Sequence, residues 1–172
     1  MVLMGLKGID CLVYLHDIIC FSATMEEHAK KLRNIFSRLE KANCKIQPEK
    51  CVFATDTVEY LGHVCTPEGI RPDPKKVKAI NEYPVPRTVK DIWSFIGLAG
   101  YYRRHVPNFA KIAQPLTNLT KKDVPFKWTK EHQISFEELK RILGTEPLLI
   151  YPDFSQPFIV ACDASIKALG AV

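Results

Sequence analysis

No stretch of this sequence is apolar for the roughly 20 residues that a membrane-spanning helix needs. Residues 1–7 have neither a basic start nor a small-residue cleavage site, so a secretory signal is not expected. Internal repeats and low-complexity segments are also lacking. The apolar fraction of 47% and the charged fraction of 25% are those of an ordinary globular protein. We therefore expect a soluble intracellular protein without a membrane partner, with cytoplasmic and nuclear locations both open.

The six cysteines include no C-x-x-C pair and no close spacing of the kind that zinc sites or disulfide frameworks use. Cys51, His63 and Cys65 could supply three zinc ligands, and that alternative stays open. Buried free thiols in a reducing compartment are the favoured interpretation.

Acidic residues are scarce between Arg71 and Lys122, where eleven Lys or Arg face three acids, an excess of eight. Such a concentration of positive charge is typical of a surface that binds a phosphate backbone. The alternative is a solvated helical surface with no ligand.

The first 70 residues predict mixed α and β structure. Residues 11–22 form two short apolar runs around His16-Asp17, which predicts a hairpin with largely buried strands and an exposed turn. Thr24 and Glu27 form a capping box that opens a helix. Residues 58–64 predict a single strand, followed by a turn at 67–69.

The pattern after Arg71 is helical. One predicted helix is capped by Asp73 with Pro74 in its first turn, a second opens at Thr88, and a third begins at Asn108. Residues 121–125 are the predicted linker. Beyond it, the sequence predicts a helix from Thr129 to Gly144 and then a strand over 157–163.

Four stretches together resemble the reverse transcriptases of gypsy-type LTR retrotransposons. Residues 14–22 (YLHDIICFS) resemble the family's YLDDIxVFS, and residues 60–64 (YLGHV) with 69–73 (GIRPD) resemble its YLGHV…GIxPD. Residues 94–104 (SFIGLAGYYRR) are similar to its SFLGLxNYYRR. Further matches to the tether and the opening strand of the family's RNase H domain lie at residues 126–128, 136–140, 151–153 and 163–165.

This resemblance implies an α+β fold with several parts in chain order. Residues 1–70 are expected to form the C-terminal part of a reverse transcriptase palm, built of β-hairpins and a helix. Residues 71–122 are expected to form a small helical thumb. Residues 123–172 are expected to form the connection and the first strand of an RNase H-like domain. The remaining palm, fingers and RNase H parts are expected in the rest of a Pol polyprotein, which is an implied partner.

The resemblance also implies a metal site with one carboxylate replaced. The family polymerises DNA with two Mg²⁺ ions held by three carboxylates. Asp17 matches the second carboxylate of the turn, and His16 stands where the first belongs. Because Mg²⁺ prefers charged oxygen ligands, a histidine should cost more than the roughly 10²–10³ in rate that one transition-state hydrogen bond contributes. The third carboxylate is expected in an earlier palm strand. Without the resemblance, His16-Asp17 is an ordinary polar turn.

Other site residues follow from the same resemblance. Asp163 matches the first RNase H metal carboxylate, although a strand end with an Asx turn is the alternative. Gly62 and His63 match a primer grip, with a glycine bulge and a surface histidine as the alternative. Lys50 matches a palm lysine near the triphosphate, or lies in a solvated turn.

In the expected thumb, Arg103 and Arg104 follow a helix that rests in the minor groove of the primer–template duplex, and they suit phosphate contacts. Tyr101 and Tyr102 are expected to pack into the thumb core. Trp93 and Trp128 are likewise expected to pack rather than stack on bases, and Glu137 and Glu138 to lie at the surface.

Three functions of different classes are compatible with these residues. The first is a reverse transcriptase fragment, a nucleotidyltransferase by descent (RNA-directed DNA polymerase and RNase H), inactive alone because of truncation and His16. The others are a non-catalytic module that binds duplex nucleic acid and a domesticated interaction protein. Productive Mg²⁺ binding is not expected.

Overall fold

The computed structural model describes residues 2–164, 166 and 169–171. Five α-helices, seven strands and two short 3₁₀ turns are formed by these residues, in mixed α and β order. The elements are β1 (Cys11–Tyr14), β2 (Asp17–Cys20), α1 (Met25–Lys41), β3 (Val58–Tyr60), β4 (His63–Thr66), β5 (Gly69–Pro72), α2 (Pro74–Asn81), α3 (Val89–Tyr101), α4 (Phe109–Asn118), α5 (Lys130–Gly144), β6 (Cys162–Ala164) and β7 (Leu169–Ala171).

β1 and β2 form the predicted antiparallel hairpin, with Tyr14 paired to Asp17. One side of the hairpin packs on α1, where Cys11 and Ile35 are buried together. The expectation of largely buried strands is wrong, because Leu12 and Tyr14 are 46% and 56% exposed. Among the described residues this sheet has two strands and packs on one helix, so only one of its faces is covered.

Helix α1 begins as predicted at Thr24, whose hydroxyl accepts a hydrogen bond from the Glu27 amide at 3.2 Å. The reciprocal bond of a capping box is shifted by one residue, since the Glu27 carboxylate accepts from the amide of Ala23. Asn43 adopts a left-handed φ of 53° just after the helix, as expected for a helix stop.

The second sheet has the order β3-β4-β5, and all its neighbours are antiparallel. The predicted single strand over 58–64 is wrong, because Leu61 and Gly62 form a two-residue turn with φ of 47° and 67°. Positive φ at both positions defines the turn whose twist matches that of a hairpin. The turn after Thr66 lies where the sequence predicted it.

Helices α2 to α5 share one apolar core. Phe95 of α3 and Phe136 of α5 lie at its centre, with ring centroids 4.6 Å apart and both side chains fully buried. The caps at Asp73 and Thr88 are confirmed, and Thr88 with Asp91 forms a complete capping box. The boundary between 122 and 123 stays a prediction, while α5 packs in the same core as the helices before it.

The segment after α5 runs alongside the second sheet. Leu149 and Ile70 exchange two main-chain hydrogen bonds of 2.8 Å, and the Tyr151 hydroxyl donates to the Thr66 carbonyl at 3.1 Å. The predicted strand over 157–163 is displaced, because residues 157–161 are irregular and β6 begins at Cys162.

Two further expectations concern individual side chains. The interpretation of the cysteines as buried thiols holds for Cys11 but is wrong for Cys44 and Cys162, which are exposed. The expected packing is also wrong for Trp93, which is 60% exposed. Among the helices of the described residues, none is long and apolar enough to cross a membrane.

Candidate functional site

The β1–β2 turn presents His16 and Asp17 to solvent. Leu15 and His16 form the turn, with Leu15 at a φ of 51°, and Asp17 is the first residue of β2. The polar pair therefore straddles the turn and the strand, and does not form the turn alone. Its exposure is what a site that receives an external ligand requires.

The donor set at this turn does not suit a two-metal centre. One carboxylate and one imidazole lie side by side, whereas Mg²⁺ prefers several oxygen ligands. In the part of the chain that the structure describes, no group of three or more His, Cys, Asp or Glu could hold a metal ion. Cys51, His63 and Cys65 therefore do not assemble as zinc ligands. Asp163 lies in β6, and its side chain lies outside the described residues.

A second candidate site is built around the Leu61–Gly62 turn. The hydroxyl of Tyr101 donates to the carbonyl oxygen of Leu61 at 2.7 Å, and that of Tyr102 donates to the carbonyl oxygen of Gly62 at 2.7 Å. Both tyrosines lie at the end of α3, which is one of the helices α2 to α5 that share one apolar core (the helical unit). The sheet turn is therefore attached to the helices through its two main-chain carbonyls.

The backbone conformation of this turn favours a glycine at position 62. Its φ of 67° is in the left-handed region, where a side chain is strained. A Cβ would lie 3.4 Å from the ring of Tyr101, at the short limit of ordinary van der Waals contact.

Two histidines stack beside the Leu61–Gly62 turn. The rings of His63 and His105 lie 5.5 Å apart at 23°, and His63 also contacts the rings of Tyr101 and Tyr102. His105 is buried and its Nδ1 lies 2.9 Å from the Pro147 carbonyl oxygen, which can only accept, so Nδ1 carries the proton. Burial lowers the pKa of His105, opposed by this hydrogen bond and reinforced by the proximity of His63.

Positive charge borders the turn. Arg103 and Arg104 are exposed in the 3₁₀ turn after α3, and Arg104 lines a shallow cleft with Tyr60, Leu61 and Tyr101. Among residues 2–164, no acidic side chain forms an ion pair with either arginine. Both guanidinium groups are thus available to an anionic ligand.

The exposed face of α3 was missed by sequence reasoning. Trp93, Gly97 and Tyr101 follow each other at intervals of four residues, and all three are exposed. Their spacing places them on one face of the helix. The spacing itself indicates this face, whereas the aromatic character of Trp93 and Tyr101 alone predicts burial. A Cβ at Gly97 would meet no atom within 4 Å.

The remaining predicted residues lie away from this cluster or within the core. Lys50 is exposed in a 3₁₀ turn at residues 48–50. Tyr102 is fully buried as expected, whereas Tyr101 is 56% exposed. Trp128 packs against Phe136 as expected, and its indole N–H donates to the Gln133 side chain.

Comparison with protein families gives two matches. Residues 2–65 match the model of the reverse transcriptase (RNA-dependent DNA polymerase), and residues 128–172 match an RNase H-like domain found in reverse transcriptase.

Curated relatives match nearly the whole chain. The Pol polyprotein of transposon 297 from Drosophila melanogaster is 45% identical over 99% of this chain. That of transposon gypsy, also from Drosophila melanogaster, is 38% identical over 96%. The transposon Tf2-3 polyprotein of Schizosaccharomyces pombe is 32% identical over 92%. The chain spans 16%, 17% and 12% of these relatives, respectively.

Solved structures of reverse transcriptases also match the fold of this chain. The foamy viral protease-reverse transcriptase in complex with double-stranded DNA matches 95% of this chain with a TM-score of 0.81 and 31% identity. The same viral protein in complex with an RNA/DNA hybrid matches with a TM-score of 0.77 and 31% identity. The chain covers 29% and 22% of those two chains.

Proposed function

Because this chain belongs to the retrotransposon Pol polyproteins, of which it is a reverse transcriptase and RNase H-like segment, we propose that its function is to hold the primer–template duplex during RNA-directed DNA synthesis. Residues 1–70 serve as the C-terminal part of the palm and residues 71–122 as the thumb. Residues 123–172 serve as the connection and the beginning of the RNase H-like domain.

The observation that carries this proposal is the clamp between Tyr101–Tyr102 and Leu61–Gly62. Arg104 lines a cleft beside that turn, and neither Arg103 nor Arg104 forms an ion pair with an acid among the described residues. Arg103 and Arg104 neutralise phosphates of the duplex, while Gly62 and His63 approach the end of the primer. The viral relatives that match this fold were solved with double-stranded DNA and with an RNA/DNA hybrid, which supports a duplex as the partner.

The exposed face of α3 fits the same partner. Trp93, Gly97 and Tyr101 offer two flat rings with a glycine between them, so the main chain can come close to a groove. Lys50 serves the incoming triphosphate, since its ammonium group is exposed and unpaired among the described residues.

Catalysis by the turn at His16 and Asp17 is impaired. Reverse transcriptases generally use divalent metal ions, which neutralise charge on the transferred phosphates. Asp17 is the carboxylate that this turn retains for Mg²⁺, and His16 does not replace the missing one. Asp163 is retained for the separate metal site of the RNase H-like domain. A neutral imidazole lacks the charge and the hard oxygen donor, and a protonated one repels the ion. Productive Mg²⁺ binding therefore requires an acid at position 16.

Duplex binding by the full 172-residue chain tests the proposal. A labelled RNA–DNA duplex titrated at several salt concentrations should bind with micromolar affinity, which falls as salt rises because counterions are released. Absence of binding at low salt would contradict the proposal and favour an interaction protein that retains only the fold.

A further inference from the structure

The Leu61–Gly62 turn is held from outside by two consecutive residues. Each of its carbonyl oxygens accepts a hydrogen bond from a tyrosine hydroxyl that lies 40 residues further along the chain. The Leu61 carbonyl also lies 2.9 Å from Nδ1 of His63, and the Gly62 carbonyl 3.3 Å from the amide of Asp73. The acceptors of both turn residues are therefore satisfied within the protein.

The end of α3 explains how adjacent tyrosines reach adjacent carbonyls. Tyr101 is the last residue of the helix and Tyr102 is its C-cap, where the backbone leaves the helical conformation. Their rings lie 5.1 Å apart at 88°, so the side chains are not parallel. Tyr102 is fully buried, whereas Tyr101 stays 56% exposed.

The backbone conformation of the Leu61–Gly62 turn explains why these hydrogen bonds matter. Leu61 holds a left-handed φ of 47°, a backbone conformation that is strained for a residue with a side chain. Without the two hydroxyls the Leu61 carbonyl would keep only His63 as a partner and the Gly62 carbonyl only Asp73, so the turn would lose its hydrogen bonds to the end of α3. Burial raises the pKa of Tyr102, so this hydroxyl stays protonated and keeps donating at neutral pH.

We propose that Tyr101 and Tyr102 are positioning residues, whose hydroxyls fix the Leu61–Gly62 turn at the angle in which it meets the end of the primer. This inference rests on the proposed function of the chain in holding a primer–template duplex. General affinity for a duplex comes from the arginines, because phosphate contacts act on any duplex. Recognition of a recessed primer end comes from the turn.

The test compares the affinity for a duplex with a recessed 3′ end with the affinity for a blunt duplex. A merely structural role of the tyrosines would change both affinities together. Loss of the hydroxyls should weaken binding to a duplex with a recessed 3′ end, while affinity for a blunt duplex of equal length stays constant. The affinity for the recessed duplex divided by that for the blunt duplex should fall at least about fivefold when both hydroxyls are removed, since a single net hydrogen bond contributes a factor of this order.

The experiment uses the full chain with Tyr101→Phe, Tyr102→Phe and the double substitution. Two labelled RNA–DNA duplexes, one recessed and one blunt, are titrated with each variant. Amide hydrogen exchange at Gly62 and His63 is measured in parallel, and it should become about fivefold faster or more in the double variant.

The chain offers two matched controls, each a tyrosine whose hydroxyl donates to a main-chain carbonyl. Tyr83 donates to Asp91 at 3.2 Å within the helical unit, and Tyr151 donates to Thr66 at 3.1 Å on the sheet that contains the turn. Tyr83→Phe and Tyr151→Phe should leave both the affinity ratio and exchange at the turn unchanged.

Several outcomes overturn the inference. Unchanged amide exchange at Gly62 and His63 would show that the hydroxyls do not hold the turn. Faster exchange with an unchanged affinity ratio would show that the angle of the turn does not affect recognition of the primer end. If Tyr102→Phe prevents folding, the exposed Tyr101→Phe decides by the same two measurements. Binding of neither duplex by the wild-type chain contradicts the proposed function itself, and the inference falls with it.

Discussion

A Cβ atom at Gly69 would lie 2.5 Å from the carbonyl oxygen of Leu149, so no side chain fits at this point of the sheet. The same carbonyl accepts a hydrogen bond from the amide of Ile70 at 2.8 Å. Gly69 also has a φ of 150°, a conformation that other residues rarely adopt. The close approach of the two main chains therefore depends on a glycine.

We expect Gly69→Ala to lower the free energy of unfolding by about 1–3 kcal/mol, because the alanine must displace the Leu149 main chain or adopt a strained φ. Thermal or urea denaturation of the full chain measures this change. Gly97→Ala is the control, since a Cβ there meets nothing within 4 Å and alanine favours the helix by up to about 1 kcal/mol. Equal stability of the two variants would refute the close contact at Gly69.

The β1–β2 turn, which presents His16 and Asp17, gives a prediction about catalysis. In a longer Pol chain that contains this segment together with the other palm residues, His16→Asp should raise Mg²⁺-dependent primer extension by more than about 10²-fold, because it restores a negatively charged oxygen donor. Asp17→Asn, added to that variant, should abolish the gain. Equal extension with histidine and aspartate at position 16 would show that this position does not bind the metal.

The arginines after α3 give a prediction about salt dependence. Replacing Arg103 and Arg104 by Gln should reduce the slope of log affinity against log salt by about 0.9 for each lost phosphate contact on a DNA duplex. Replacing Arg33 and Arg38 by Gln removes the same two charges from the exposed surface of α1 and should leave the slope unchanged. An equal effect of both changes would indicate that only net charge matters.

The buried histidine predicts a pH dependence of stability. Because the pKa of His105 is lower in the folded chain than its usual value of about 6.5, the unfolded chain binds more protons near this pH. Stability should therefore be complete above about pH 7.5 and should fall as the pH drops through 6.5. Denaturation at pH 7.5 and 5.5 measures the difference, which should shrink in His105→Gln. A difference that persists in this variant must come from other groups.

Local signals explain what the sequence predicted well. Asp73 before Pro74 and Thr88 before Asp91 are helix starts whose hydrogen bonds form between residues two to four positions apart, so a short window contains the cause. The reverse transcriptase motifs likewise indicated the family without any tertiary contact.

Contacts between distant residues explain what the sequence did not reveal. Leu61–Gly62 lacks the Asn-Gly or Asp-Gly signature of a tight hairpin turn, and Tyr101 and Tyr102 stabilise it from 40 residues away. The exposure of Leu12 and Trp93 depends on which elements pack beside them, and their apolar character alone suggested burial. The replacement at His16 was visible in the sequence because only its neighbours were needed to align it.

The bond between Tyr151 and Thr66 joins residues 85 positions apart, and this separation bears on how the chain is made. During synthesis, the β3-β4-β5 hairpins leave the ribosome long before their last partner exists. The outer edge of β5 therefore stays uncovered until residues 149–151 have emerged and α5 has folded behind them. Closing such a long loop is slow compared with forming the local hairpins. In the nascent chain, completion of this sheet is thus a late event, and its exposed edge is open to incorrect pairing until then.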